Sequence, residues 1–140
     1  MATLSASSWG QLSVSKAEIL STPGWKQVYD DHVPDPELIQ KLKRALPGRK
    51  ATVVFGAWCD DSKNHVPLFL KIIDAIACPD FEVVFLAVEK KSSPGQKYYH
   101  EGLLVEKVPT FIFFIGEVES GRIVENPRES ILQDMLQILF

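Results

Sequence analysis

Sulfur and imidazole are scarce in this chain of 140 residues, which holds two cysteines, two methionines and three histidines. Two cysteines cannot build the dense disulfide framework of a small secreted scaffold, so they point to thiol chemistry or core packing. His32, His65 and His100 share no ligand spacing with one another or with Cys59, so no metal site and no cofactor are expected. Positive charge is not in excess: 15 Lys and Arg oppose 18 Asp and Glu, for a net charge of −3. Nucleic acid and anionic membrane are therefore not expected partners, since both reward a concentrated positive surface. No run approaches the ~18–20 apolar residues of a membrane span. Met1 to Trp9 lacks a basic start followed by an apolar stretch, so a cytoplasmic location is expected.

What is present is ordinary for a folded domain: 46% hydrophobic and 24% charged residues. A chain of this size buries roughly two-thirds of its unfolded surface. Residues 1–34 read as an extension packing on a core domain of residues 35–140. Ser5, Ser7, Ser8, Gly10 and Ser13 suggest a loose lead-in, and Trp25, Val28 and Tyr29 have the spacing of a short helix. Asp35 then caps a helix with Pro36 at its first position, which Pro47-Gly48 stops. Ala51–Ala57 and Phe81–Val88 are apolar runs of buried strands, and between them Val66, Phe69, Leu70, Ile73 and Ile76 line one face of a helix over 60–77. Tyr98, Tyr99 and Leu103 hint at a short helix in the polar stretch that follows. Thr110–Ile115 and Val118–Val124, joined by Gly116-Glu117, read as a hairpin. Asn126, Pro127 and Glu129 read as the start of a closing helix. The expected class is α/β, a mixed central sheet with helices on both faces.

Chemistry concentrates at Cys59, directly after a strand and at the first turn of a helix. A helix amino end presents unpaired N–H groups and partial positive charge, which favour a thiolate. Ser62 lies on the same turn, placed to donate to the sulfur, while Asp60 and Asp61 oppose a second negative charge there and suit the helix start by themselves. Trp58 reads as a groove wall or a packing residue. Cys78 is no partner for Cys59: nineteen residues of helix span roughly 28 Å, whereas disulfide Cα atoms lie within about 7 Å. Any disulfide of Cys59 is then with another molecule.

Trp58-Cys59-Asp60-Asp61-Ser62, Pro67 eight residues beyond the cysteine, and Val108-Pro109-Thr110 before a strand together resemble the thioredoxin family. The likeness spans about Asp35 to Phe140. The site also resembles a bacterial subgroup with Trp-Cys-Gly-Asp-Ser at this position, as does the segment from Gly121 to Pro127. The resemblance implies the thioredoxin fold, a kink at Pro67, and a cis peptide at Pro109 facing the sulfur. There the backbone of Val108 is free to pair with an extended peptide. It also marks departures. Ser62 stands where the family has its second cysteine, and Val53 and Phe85 stand near the positions of its buried Asp and Lys.

The function expected is monothiol thiol–disulfide exchange by a monomer. Cys59 acts as nucleophile with Ser62 in support, and Trp58, Asp60, Asp61, Val108 and Pro109 contact substrate. Its partners are protein or small-molecule thiols and disulfides, glutathione among them. The alternative is a redox-inactive binding module of the same fold, in which the thiol is incidental. A peroxidase reading lacks an Arg or Thr motif near the thiol.

Overall fold

Apolar alternation in the strands needs a surface on each side to bury against, and the chain supplies two different ones. The computed structural model describes residues 12–91, 93 and 95–140. Its centre is β2 (Arg49–Phe55), hydrogen-bonded on one side to β3 (Glu82–Ala87) and on the other to β6 (Thr110–Ile115). β2 and β3 run parallel, with Val53 opposite Phe85, so their connection must cross over, and α4 (Asp60–Ile76) does so. β6 runs antiparallel to β2 and turns through Gly116, at φ 63°, into β7 (Val118–Val124). A short strand β1 (Leu12–Val14) pairs antiparallel with β3 at the opposite edge. The result is a five-stranded mixed sheet in the order β1-β3-β2-β6-β7.

The helices are α1 (Lys16–Leu20), α2 (Trp25–Asp31), α3 (Pro36–Ala45), α4 and α5 (Ile131–Leu139). Their buried residues join Ala51, Val53, Phe55, Phe85, Phe111 and Phe113 in one core on one face of the sheet. Phe69 of α4 is its hub, fully buried, with ring centroids 6.1 Å from Phe85, 5.2 Å from Phe111 and 6.1 Å from Phe113. Burying such a side chain contributes about 1.5–3 kcal/mol. Ile19 and Trp25 lie in this core as well, so the described part of residues 1–34 packs on it; the serines and glycine of positions 5–10 lie outside the described residues.

Four expectations are corrected. Among the described residues helices do not cover both faces: Val54, Leu86 and Ile112 pack on the other side against Tyr98, Val105 and Val108. That cover is a two-stranded ribbon, β4 (Tyr98–His100) with β5 (Leu103–Val105), where a short helix was expected. Its turn residues Glu101 and Gly102 have φ 48° and 84°, the left-handed pair a tight hairpin requires, and side chains alternate with Tyr98 buried and Tyr99 exposed. Ser13 lies in β1, and the Ser15–Glu18 capping box starts α1 directly after it. The last helix starts after Ser130, whose hydroxyl accepts from the Gln133 amide, instead of at Asn126. The Asp134 carboxylate accepts from the amides of Arg128 and Glu129, which holds the preceding segment in an irregular path.

Candidate functional site

The carboxyl end of β2 delivers the chain into a tight turn before α4. The Cys59 amide donates to Gly56 O at 3.1 Å, and the Lys63 amide to Cys59 O at 3.0 Å, so Cys59 is the residue on which the helix begins. Gly56 is needed here for space: a Cβ on it would meet the Trp58 indole at 2.5 Å. The indole lies across the turn with its Nε1 donating to Val88 O at 3.0 Å, and Trp58 stays 45% exposed.

Ser62 does not act on the sulfur as expected. It is fully buried and accepts from the Gly56 amide at 3.2 Å, and among the described residues it has no hydrogen bond to Cys59. The first turn of α4 points inward at this position, so the hydroxyl satisfies the turn's backbone. The Cys59 side chain likewise makes no capping bond to the helix amides; its half-buried Sγ donates to Val108 O at 3.6 Å. Val108 and Pro109 are joined by a cis peptide bond, as expected. The Glu125 amide donates to Pro109 O at 2.7 Å, and Thr110 Oγ1 donates to Lys107 O at 2.6 Å, so this loop is pinned on both sides. The Val108 amide has no hydrogen-bond partner among the described residues.

Trp58, Cys59 and Val108 border a cleft of about 310 Å³. Asp60 and Asp61 stand on the first turn of α4 and Pro109 is buried beneath the loop, and none of the three lines that cleft. It does contain residues that local motifs could not reveal: Tyr98 from the ribbon, the lysines 90, 91 and 107, and Glu125. The alternation at Tyr98 was the available signal. Tyr98 is 1% exposed and its hydroxyl donates to Glu89 O at 2.7 Å. Burial, and then the negative charge of Cys59, hold its phenol above the ordinary tyrosine range.

His65 is half-buried, its Nε2 2.8 Å from Asn126 Oδ1 and its Nδ1 buried without a partner among the described residues. Among the described residues no group of three or more His, Cys, Asp or Glu could hold a metal ion. None of their helices is long and apolar enough to cross a membrane. Cys59 and Cys78 are both free thiols.

No family model matches the chain. No curated protein matches it either. Among solved structures it is similar to a protein of unknown function from Pseudomonas aeruginosa, at 14% identity and a TM-score of 0.58, covering 89% of this chain and 85% of that one. It is also similar to an HIV epitope scaffold, at 14% identity and a TM-score of 0.59, covering 89% and 86%. At these identities the likeness is one of fold alone, a mixed α/β architecture.

Proposed function

We propose that this chain is a monothiol member of the thioredoxin family, with that family's fold, and that Cys59 exchanges disulfides through intermolecular mixed disulfides. The observation that carries the reading is the position of Cys59 Sγ: at the start of α4, half-buried in a cleft, 3.6 Å from the Val108 carbonyl. Pro67 within the same helix and the cis Val108-Pro109 peptide, whose Val108 carbonyl meets the Cys59 sulfur, support the family assignment.

In the resting state the thiol proton is directed at Val108 O. Released to solvent, it leaves a thiolate that attacks one sulfur of a disulfide. The new bond joins Cys59 Sγ to that sulfur, the old S–S bond breaks, and the other sulfur departs as a thiolate that takes a proton from water. Ser62 offers no second thiol, so a thiol from solution, glutathione among them, attacks the mixed disulfide and returns Cys59 to its reduced form. Trp58 walls the cleft, and the Val108 amide is available to an extended peptide backbone. Ser62 contributes through the turn, by holding the Gly56 amide.

Cys59→Ser is expected to abolish exchange in a glutathione-coupled assay, and mass spectrometry of the wild type is expected to find the adduct on the Cys59 peptide. Full activity in the variant overturns the proposal. A second reading is favoured by Val53 and Phe85, which are direct register partners and are both buried and apolar. With apolar side chains at both of these positions, a binding module that holds a partner segment is the competing function. Partners that survive both Cys59→Ala and reductant in affinity purification select that reading.

A further inference from the structure

The Cys59 cleft has an unequal charge lining. Its lining residues include three lysines, Lys90, Lys91 and Lys107, against two acids, Glu106 and Glu125. Lys107 and Glu125 face each other at 3.8 Å. Lys90 and Lys91 belong to none of the ion pairs among the described residues. Lys91 is nonetheless held in place, donating to the backbone carbonyl of Glu106, with its Nζ 5.7 Å from the centre of the Tyr98 ring. A carbonyl and a ring face orient an ammonium without cancelling its charge. Tyr98 remains an uncharged wall, since its hydroxyl is committed to Glu89 O. The acids of the α4 first turn, Asp60 and Asp61, are not among the residues lining the cleft. A cleft of about 310 Å³ falls at the small end of the range for small-molecule sites.

We propose that Lys90 and Lys91 make this cleft selective for low-molecular-weight disulfides that carry carboxylates. The inference rests on Cys59 being the exchanging thiol and names the substrate class of that site. The step is the exchange already written: Cys59 thiolate bonds to one sulfur of the carboxylated disulfide, and the other half leaves as a carboxylated thiolate that is protonated by water. The lysines touch neither sulfur. They hold the carboxylate while the attack occurs, so they are positioning and specificity residues.

The test compares three symmetric disulfides: dithiodipropionate (anionic), hydroxyethyl disulfide (neutral) and cystamine (cationic). Adduct formation at Cys59 is followed by mass spectrometry in the full chain, and each rate is divided by that of a free small thiol with the same disulfide. The wild type is expected to favour the anionic over the neutral probe about two- to fivefold, the range an exposed charge pair supplies. Cystamine is expected to be slowest. Lys90→Gln with Lys91→Gln, and separately high salt on the wild type, are expected to remove the preference. Equal normalised rates for all three probes overturn this inference and leave Cys59 exchange standing. A preference that persists in the double variant and in high salt also overturns it. No adduct at Cys59 with any probe overturns the exchange reading itself.

Discussion

Two thiols mark the two ends of helix α4, and their surroundings differ in almost every respect. Cys59 precedes the first turn, where amides point outward, and its sulfur meets a carbonyl from a loop 49 residues away. Cys78 follows Ala77, the left-handed residue at φ 51° that ends the helix, where carbonyls point outward. It packs partly buried against the main core and borders an apolar groove of about 690 Å³ shared with Leu70, Ile73, Phe81 and Val83. An anion is favoured at the first pole and disfavoured at the second. The same functional group thus borders a cleft at one end of a helix and packs against the core at the other.

The difference between the two thiols is open to experiment. The largest expected effect is on labelling: with a negatively charged disulfide reagent, the fast phase of the native wild type should vanish in Cys59→Ala and persist in Cys78→Ala. A fast phase belonging to Cys78 would reverse the comparison. Next, Ser62→Ala should destabilise the chain by about 1–3 kcal/mol in denaturant unfolding, because it leaves the buried Gly56 amide without an acceptor. An unchanged midpoint would mean that the turn before Cys59 does not depend on this bond. A smaller loss, about 1 kcal/mol, is expected for Gly56→Ala, whose methyl would push the Trp58 indole off the turn and break its bond to Val88 O. The indole then enters water, so the Trp58 contribution to fluorescence, assigned with Trp58→Phe, should move to longer wavelength.

The smallest effect is expected at Tyr98. Its phenol is raised chiefly by burial and then by the charge on Cys59, so the stability tied to the neutral form is complete below about pH 10 and fades as pH rises through the folded value. In Cys59→Ala the phenolate absorbance of Tyr98 should appear at slightly lower pH, the larger burial contribution remaining. No movement would mean that Cys59 carries no charge near that ring.

Elements whose causes are local were legible. The helix after Asp35-Pro36, the helix from Asp60, the strands expected at Ala51–Ala57 and Phe81–Val88 and found at Arg49–Phe55 and Glu82–Ala87, and the turn at Gly116 all follow from caps, periodicity and glycine. The misreadings share a different cause. Tyr98, Tyr99 and Leu103 have near-helical spacing, yet the left-handed turn at Glu101-Gly102 and the apolar face formed by Val54, Leu86 and Ile112 select a ribbon. Asn126-Pro127 satisfies the cap rules, but Asp134 takes the amides of Arg128 and Glu129 and delays the helix to Ile131. Ser15-x-x-Glu18 was a readable start signal for α1, hidden among serines that looked like loop. At the site, Cys59, Trp58 and Val108 were found from their motifs, whereas Lys91 and Tyr98 belong to no motif.

From the chain alone it is readable that one cysteine begins a helix after a buried strand, that the residue four places beyond Trp58 is a serine, and that Cys78 lies out of reach of Cys59. These follow from residue order, because a helix rises a set distance per residue and a strand alternates its faces. What surrounds the sulfur is set by packing between distant segments. The Val108 carbonyl, the Tyr98 ring and the lysines come from segments far along the chain, and Ser62 turns toward Gly56 because the core claims that side of α4. Such contacts depend on which faces pack together, and packing is settled by the whole set of buried side chains at once.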